Sequence, residues 1–301
     1  ARSRRRLILE AHLGLGDIVV MTGIVRDLHA AHPGEFSVGV RTSFEPAWFH
    51  NPYITTVPDH EPGVERALVT LRHVPPPRGL PVRYVDLILD EIREQTGIAI
   101  RLTRYHGDIH LSHGECTAPD PVTQLLGARV PYWILGAGGK YDHTTKWWSS
   151  ARFQEVVDHF RGRILFVQVG LAEHHHPPLN GVLDLRGRTS IRDLVRLIHR
   201  SQGVVCGVTS LMHFAAAVPS PEGWPEERPC VVLAGGREPQ LLVQYPGHQF
   251  IHNVGMLPCS QGGCWKSRIE PLHDGSHFDS PEFLCGNVAG GIARCMDMIS
   301  V

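Results

Sequence analysis

Lysine is scarce in this chain. Of 29 basic residues only Lys140, Lys146 and Lys266 are lysines, so each ammonium stands out against a background of arginine. Two of the three fall in one glycine-rich stretch, a setting that suits a compact point charge better than a guanidinium fork. Neither sign of charge is in excess: the formal net charge is −1, which gives no basic field for following a phosphate backbone and argues against nucleic acid as a partner. No apolar run approaches the roughly 20 residues that cross a bilayer. Leu7-Ile8-Leu9, behind the basic opening Arg2-Ser3-Arg4-Arg5-Arg6, is too short for a signal-peptide core. The expectation is a cytoplasmic protein without a transmembrane segment. Seven cysteines among 301 residues are too few and too unevenly spread for a secreted disulfide scaffold.

Two chemical signatures are also missing. There is no Asp-x-Asp motif to hold a divalent metal, and neither Lys140 nor Lys146 is followed by the Ser or Thr of a P-loop. Gly14-Leu15-Gly16 begins like a dinucleotide fingerprint, but Val19 stands at the third glycine position.

What is present is an α/β pattern, in a chain long enough for two cores. Leu7-Ile8-Leu9 reads as a buried strand, Gly14 and Gly16 allow a tight turn, and Ile18, Val19, Ile24, Val25 and Leu28 recur at helical spacing until Pro33-Gly34. Asp17 falls in the first turn of that helix, where the dipole favours a carboxylate and where open α/β sheets bind ligands. Phe36 to Val40 predicts a second strand and Asn51 to Val57 a turn with a short third one. Pro75-Pro76-Pro77 breaks the pattern, Tyr84 to Glu94 reads as helix, and Ile98 to Leu102 as an extended segment.

A proline- and glycine-rich stretch from Gly114 to Pro131 suggests a boundary, giving domains 1–130 and 131–301. The second half alternates more clearly. Strands are expected at Tyr132–Leu135, Ile164–Val169, Gly203–Gly207 and Cys230–Ala234, and helices at Ser150–Phe160, Ile191–Arg200 and Met212–Val218, with Thr189-Ser190 as a cap. Such alternation means a parallel sheet in each half.

Two loops carry the chemistry. Thr209 and Ser210 open a helix directly after a buried strand, so backbone N–H groups and hydroxyls form a ready site for a diphosphate, with His213 one turn further in. Upstream, GAGGKYDHTTKWW offers Gly138 and Gly139 for close backbone approach, the Thr144 and Thr145 hydroxyls and the Lys146 ammonium. The run His174-His175-His176 before Pro177-Pro178 reads as an exposed loop rather than a metal site.

Taken in order, GLGDIVVMTGIVRDLHAAHPG, TTKWWSSARFQEVVDHF, LDLRGRTSIRDLVRLIHRSQGVVCGVTSLMHFAAAV and VVLAGGREP resemble the family 9 glycosyltransferases, the ADP-heptose heptosyltransferases, from Leu7 to about Pro239. The resemblance implies a GT-B fold: two Rossmann-like domains with parallel sheets facing a cleft, the acceptor on the N-terminal one and the nucleotide sugar on the C-terminal one. It implies that Asp17 is the catalytic base, that Lys146 contacts the donor phosphate and sugar, that Thr189 contacts the adenosine, and that Thr209, Ser210, Met212 and His213 hold the diphosphate. The reaction implied is inverting transfer of a sugar, a heptose or relative, from an ADP-sugar or related donor to an acceptor hydroxyl, with no cofactor required. The alternatives are a nucleotide-sugar epimerase or hydrolase of the same fold and a nucleotide-binding module without catalysis. One position departs from the family pattern. Val208 stands where an acidic residue is usual, and it has no side-chain atom with which to bind a sugar hydroxyl.

The end of the chain, from about residue 256, is rich in cysteine. Cys259, Cys264, Cys285 and Cys295 supply four thiolates, the number a structural zinc or iron site needs, and the resemblance extends to relatives with a metal-holding cysteine segment there. Two disulfides and four unlinked thiols are the other readings.

Overall fold

A computed structural model describes residues 4–60, 62–76 and 80–301. Arg2 and Ser3 of the basic opening and Pro77 of the proline run lie outside the described residues.

The first sheet is small and wholly parallel. Strand β1 (Arg5–Ala11) runs between β2 (Phe36–Thr42) and β3 (Val64–Leu68). Leu7, Ile8 and Leu9 are fully buried in it, as expected of a strand covered on both faces. Between β1 and β2 lies helix α1 (Leu15–Ala31), buried along Ile18, Val19, Ile24, Val25 and Leu28. The strand expected within Asn51 to Val57 does not form. Ile54 makes one isolated bridge to Val38 on the outer side of β2, while the free edge of β1 is taken by β3, whose Val-Glu-Arg-Ala-Leu sequence buries only Ala67. The segment Ile98 to Leu102, expected to be extended, carries no strand. Helix α2 (Tyr84–Thr96) closes at Gly97 in the left-handed conformation, a common helix stop.

Two short helices, α3 (His113–Thr117) and α4 (Pro121–Leu126), lead into the second sheet. Its strands are β4 (Tyr132–Gly136), β5 (Leu165–Gln168), β6 (Leu183–Asp184), β7 (Gly203–Gly207), β8 (Cys230–Gly235) and β9 (His248–His252). All are parallel, in the order β6-β5-β4-β7-β8-β9. The chain therefore builds outward from β4 in one direction and then returns to add β7 on its other side. That reversal makes a crevice at the carboxyl ends of β4 and β7, where ligands of open α/β sheets bind. Helices α5 (Ser150–His159), α6 (Ile191–Arg200) and α7 (Ser210–Ala217) accompany the strands. Ser190 caps α6 by accepting from Asp193 N–H at 3.1 Å.

The halves meet through α1 and α7. A Cβ on Gly16 would lie 2.8 Å from His213 Cδ2 and 3.4 Å from Ser210 Cα. Only glycine at residue 16 lets the amino ends of the two helices approach so closely. Beyond β9, the short helix α8 (Gln240–Val243) having already joined it to β8, the tail wraps back over the second sheet. It ends in the hairpin of β10 (Val288–Ala289) and β11 (Ile292–Ala293) and in helix α9 (Arg294–Asp297). Cys295, Met296 and Ile299 pack with Trp148, Phe153 and Leu233 in a core of their own, and Trp148 Nε1 donates to Ile299 O at 2.9 Å.

Among the described residues no helix is long and apolar enough to cross a membrane.

Candidate active site

Asp17 is fixed through both carboxylate oxygens. The Gly14 N–H donates to its Oδ2 at 2.9 Å, and the hydroxyl of Tyr84, at the start of α2, donates to its Oδ1 at 2.6 Å. Burial raises its carboxyl above the ordinary value; the Tyr84 and Gly14 hydrogen bonds and the Lys146 and Lys140 ammonium groups pull the other way. A carboxylate raised by burial yet held in one rotamer is suited to accept a proton.

Facing it across the interface is the start of α7. His213 is buried, with the Cδ2–Nε2 edge against Gly16 and Nδ1 2.6 Å from the Tyr245 hydroxyl. Burial, with Lys146 and His248 nearby, pushes its imidazolium down to about 3, so the ring is neutral at pH 7. With Nδ1 taken by Tyr245, Nε2 is the ring nitrogen left for a ligand, on the edge beside Gly16. Thr209 Oγ1 is buried and has no hydrogen-bond partner, and Ser210 follows it half-buried. An unused hydroxyl at a helix start is what an anion site requires. Met212, by contrast, is fully buried in the core cluster.

Lys146 is the third element. Its Nζ lies 2.7 Å from Glu238 Oε1 and donates to Val208 O at 3.3 Å. Burial lowers its pKa, against the pull of Glu238 and Asp17. Glu238, 3% exposed, also pairs with Arg237. Burial works to raise its carboxyl, but Arg237 and Lys146 together hold it below the ordinary value.

The other expected donor-loop residues have structural partners. Gly138, at φ +98°, is required because a Cβ there would stand 2.0 Å from His175 O, and the Gly139 N–H donates to the same carbonyl at 2.8 Å. The close approach these glycines permit is by the 174–176 loop. That loop is half-buried rather than exposed: His175 stacks on Trp147 at 4.0 Å and His176 Nδ1 lies 2.8 Å from Ala137 O. Thr145 Oγ1 donates to Lys266 O at 2.8 Å, and Thr144 Oγ1 accepts from Ile269 N–H at 2.9 Å. Arg237 Nε donates to the same Lys266 carbonyl at 2.8 Å. One tail segment thus braces both loops that present Lys146 and Glu238. Thr189 is half-buried beside the α6 cap, on the loop after β6.

Tyr84, Tyr245 and Glu238 were not singled out from the sequence. Tyr84 and Tyr245 lie 67 and 32 positions from the groups they hold, and nothing local marks them. Glu238 carries one usable signal, its place two residues past Gly235-Gly236 in the loop at the carboxyl end of a buried strand.

None of the four tail cysteines is in a disulfide: Cys295 is buried, Cys264 and Cys285 are half-buried, and Cys259 is exposed. Among the described residues, however, no group of three or more His, Cys, Asp or Glu side chains stands in metal-ligating geometry.

No family model and no curated protein matches this chain. Solved structures do. It is similar to the glycosyl transferase family 9 protein of Veillonella parvula, 14% identical with a TM-score of 0.59 over 84% of this chain and 88% of that one. It is similar to ADP-heptose lipopolysaccharide heptosyltransferase II of E. coli, 15% identical with a TM-score of 0.61 over 97% and 94%. A third is the iron-containing dodecameric glycosyltransferase TibC of enterotoxigenic E. coli, 17% identical with a TM-score of 0.56, where the match spans 83% of this chain and 65% of that one. What this chain shares with them is the fold, the two parallel sheets of the GT-B type.

Proposed function

We propose that this chain is an inverting glycosyltransferase that moves a sugar, a heptose or a close relative, from an ADP-linked donor to a hydroxyl acceptor. The observation that carries the reading is the convergence of one raised, oriented carboxylate, Asp17, with a helix amino end and a buried ammonium at the switch point of the second sheet. Similarity in fold to glycosyltransferases, one of them described as acting on ADP-heptose, supports it.

Charge sets the roles. The Thr209 and Ser210 end of α7, the Nε2 of a neutral His213 and Lys146 offer donors and one positive charge to a diphosphate. Asp17 takes the proton of the acceptor hydroxyl as that oxygen attacks the anomeric carbon, and the bond from that carbon to the diphosphate oxygen breaks with inversion. The pair of electrons leaves with the nucleoside diphosphate, whose charge Lys146 and the helix end stabilise. Lys146 has its ion pair with Glu238 in hand, so it exchanges part of that contact for phosphate when the donor arrives. The tail cysteines take no part in any step.

The test is incubation with ADP-heptose, ADP-glucose and UDP-glucose, each with and without a lipopolysaccharide-core acceptor extract, reading nucleotide release. Acceptor-dependent ADP release from an ADP-sugar is expected. Release of no nucleotide from any donor, with ADP nonetheless bound, overturns transfer in favour of a nucleotide-binding module.

A further inference from the structure

Glu238 holds an unused atom in the centre of this site. Its Oε1 is shared by Lys146 and Arg237, whereas its Oε2 is buried and has no hydrogen-bond partner. A buried carboxylate oxygen without a donor carries its full desolvation cost. Such an orphan in a ligand cleft points to a donor that arrives with the ligand.

Three placements say which part of the ligand it meets. First, Glu238 follows β8, whereas the loop bearing Thr189 follows β6 at the opposite edge of the sheet, with β5, β4 and β7 between. A nucleoside over the β6 side and a diphosphate at the start of α7, which follows β7, put the sugar toward β8. Second, the Lys146 ammonium that pairs with Glu238 at 2.7 Å also acts through its charge on Asp17. Third, one ammonium joins Glu238 to the backbone of Val208. Val208 is buried and offers no polar side-chain atom at the mouth of α7.

We propose that Glu238 is the specificity-determining residue for the donor sugar. Its Oε2 accepts a hydrogen bond from a sugar hydroxyl, supplying from the loop after β8 the carboxylate that residue 208 lacks. The inference rests on the donor-binding reading above and goes beyond it by naming the residue that recognises the sugar. Arg237, tied through Lys266 O to the loop of Thr145, holds that carboxylate in place.

The experiment is calorimetric titration of wild type, E238A and E238Q with ADP and with ADP-heptose. Removing a negative charge beside the diphosphate leaves ADP binding unchanged or tightens it, while loss of the sugar contact weakens ADP-heptose by about tenfold, the scale of one hydrogen bond to a charged group. The ratio of the two dissociation constants therefore rises in E238A, and rises less in E238Q, which keeps the side chain's shape and one oxygen acceptor. ADP binding by each variant is its own control for folding. An unchanged ratio in E238A and E238Q overturns the inference alone. Failure of the wild type to bind either ligand overturns the donor-binding reading beneath it.

Discussion

The Tyr84 hydroxyl donates to Asp17 Oδ1 at 2.6 Å, joining the first helix of the chain to the second at the carboxylate proposed as the base. The bond stabilises the charged form of Asp17 and so opposes the rise caused by burial. Tyr84 is a positioning residue whose effect is legible in pH. In Y84F the carboxylate loses that support, its pKa rises further, and the acid limb of the kcat/KM profile moves to higher pH. At alkaline pH, where Asp17 is ionised in both proteins, the rates converge. A profile whose acid limb stays in place while the plateau falls contradicts the assignment.

Lys146 is a buried positive charge, which the proposed reaction sets against the donor diphosphate. K146M removes a charge-assisted contact worth about 1.5–3 kcal/mol, so ADP affinity falls by roughly 10- to 100-fold. Arg237 keeps Glu238 paired, which limits the loss of folding stability. K146R does not restore affinity, because a planar fork cannot occupy the site of a compact ammonium held between Glu238 and Val208 O. Titration calorimetry with ADP reads both variants.

Gly16 sets the distance between the two helix ends. G16A places a methyl 2.8 Å from His213 Cδ2, and the imidazole, held by Tyr245, has to shift. Overpacking of this kind costs about 1–3 kcal/mol, visible as a lower urea midpoint, and transfer falls more than ADP binding because Asp17 moves away from α7.

Buried neutral histidines give the fold an acid-sensitive range. His248 is pushed down to about 4 by burial, with His106 adding to it, and neither ring nitrogen has a hydrogen-bond partner. The unfolded chain takes up that proton near pH 6.5 and the folded chain does not, so stability is full above about pH 6.5 and is lost as pH falls from there toward 4. Between pH 7 and pH 5 the loss from His248 is about 2 kcal/mol. H248L removes it, and the urea midpoints of the variant at the two pH values lie closer together than those of the wild type.

The elements legible in the sequence are those whose own residues carry the signal. The buried run of β1, the 3.6-residue period of α6 and the strand at Gly203–Gly207 appear where the pattern puts them. The strand β3 does not announce itself, because an edge strand reading Val-Glu-Arg-Ala-Leu exposes most of its side chains and its pairing with β1 is decided by tertiary contact. The same contrast holds at the site. Asp17, Lys146 and the Thr209–His213 turn follow strands or open helices and can be read locally. Tyr84, Tyr245 and Glu238 act through partners that only the fold brings near. Thr144 and Thr145 show the reverse: their hydroxyls fit a phosphate loop in sequence, yet the tail has claimed them.

In the proposed reaction Asp17 takes the acceptor's proton while other groups hold the donor. D17N separates the two roles when its transfer from ADP-heptose is compared with its ADP affinity. A general base contributes about 10²- to 10⁴-fold, so kcat falls on that scale with ADP binding unchanged. Transfer by D17N at the wild-type rate rules Asp17 out as the base.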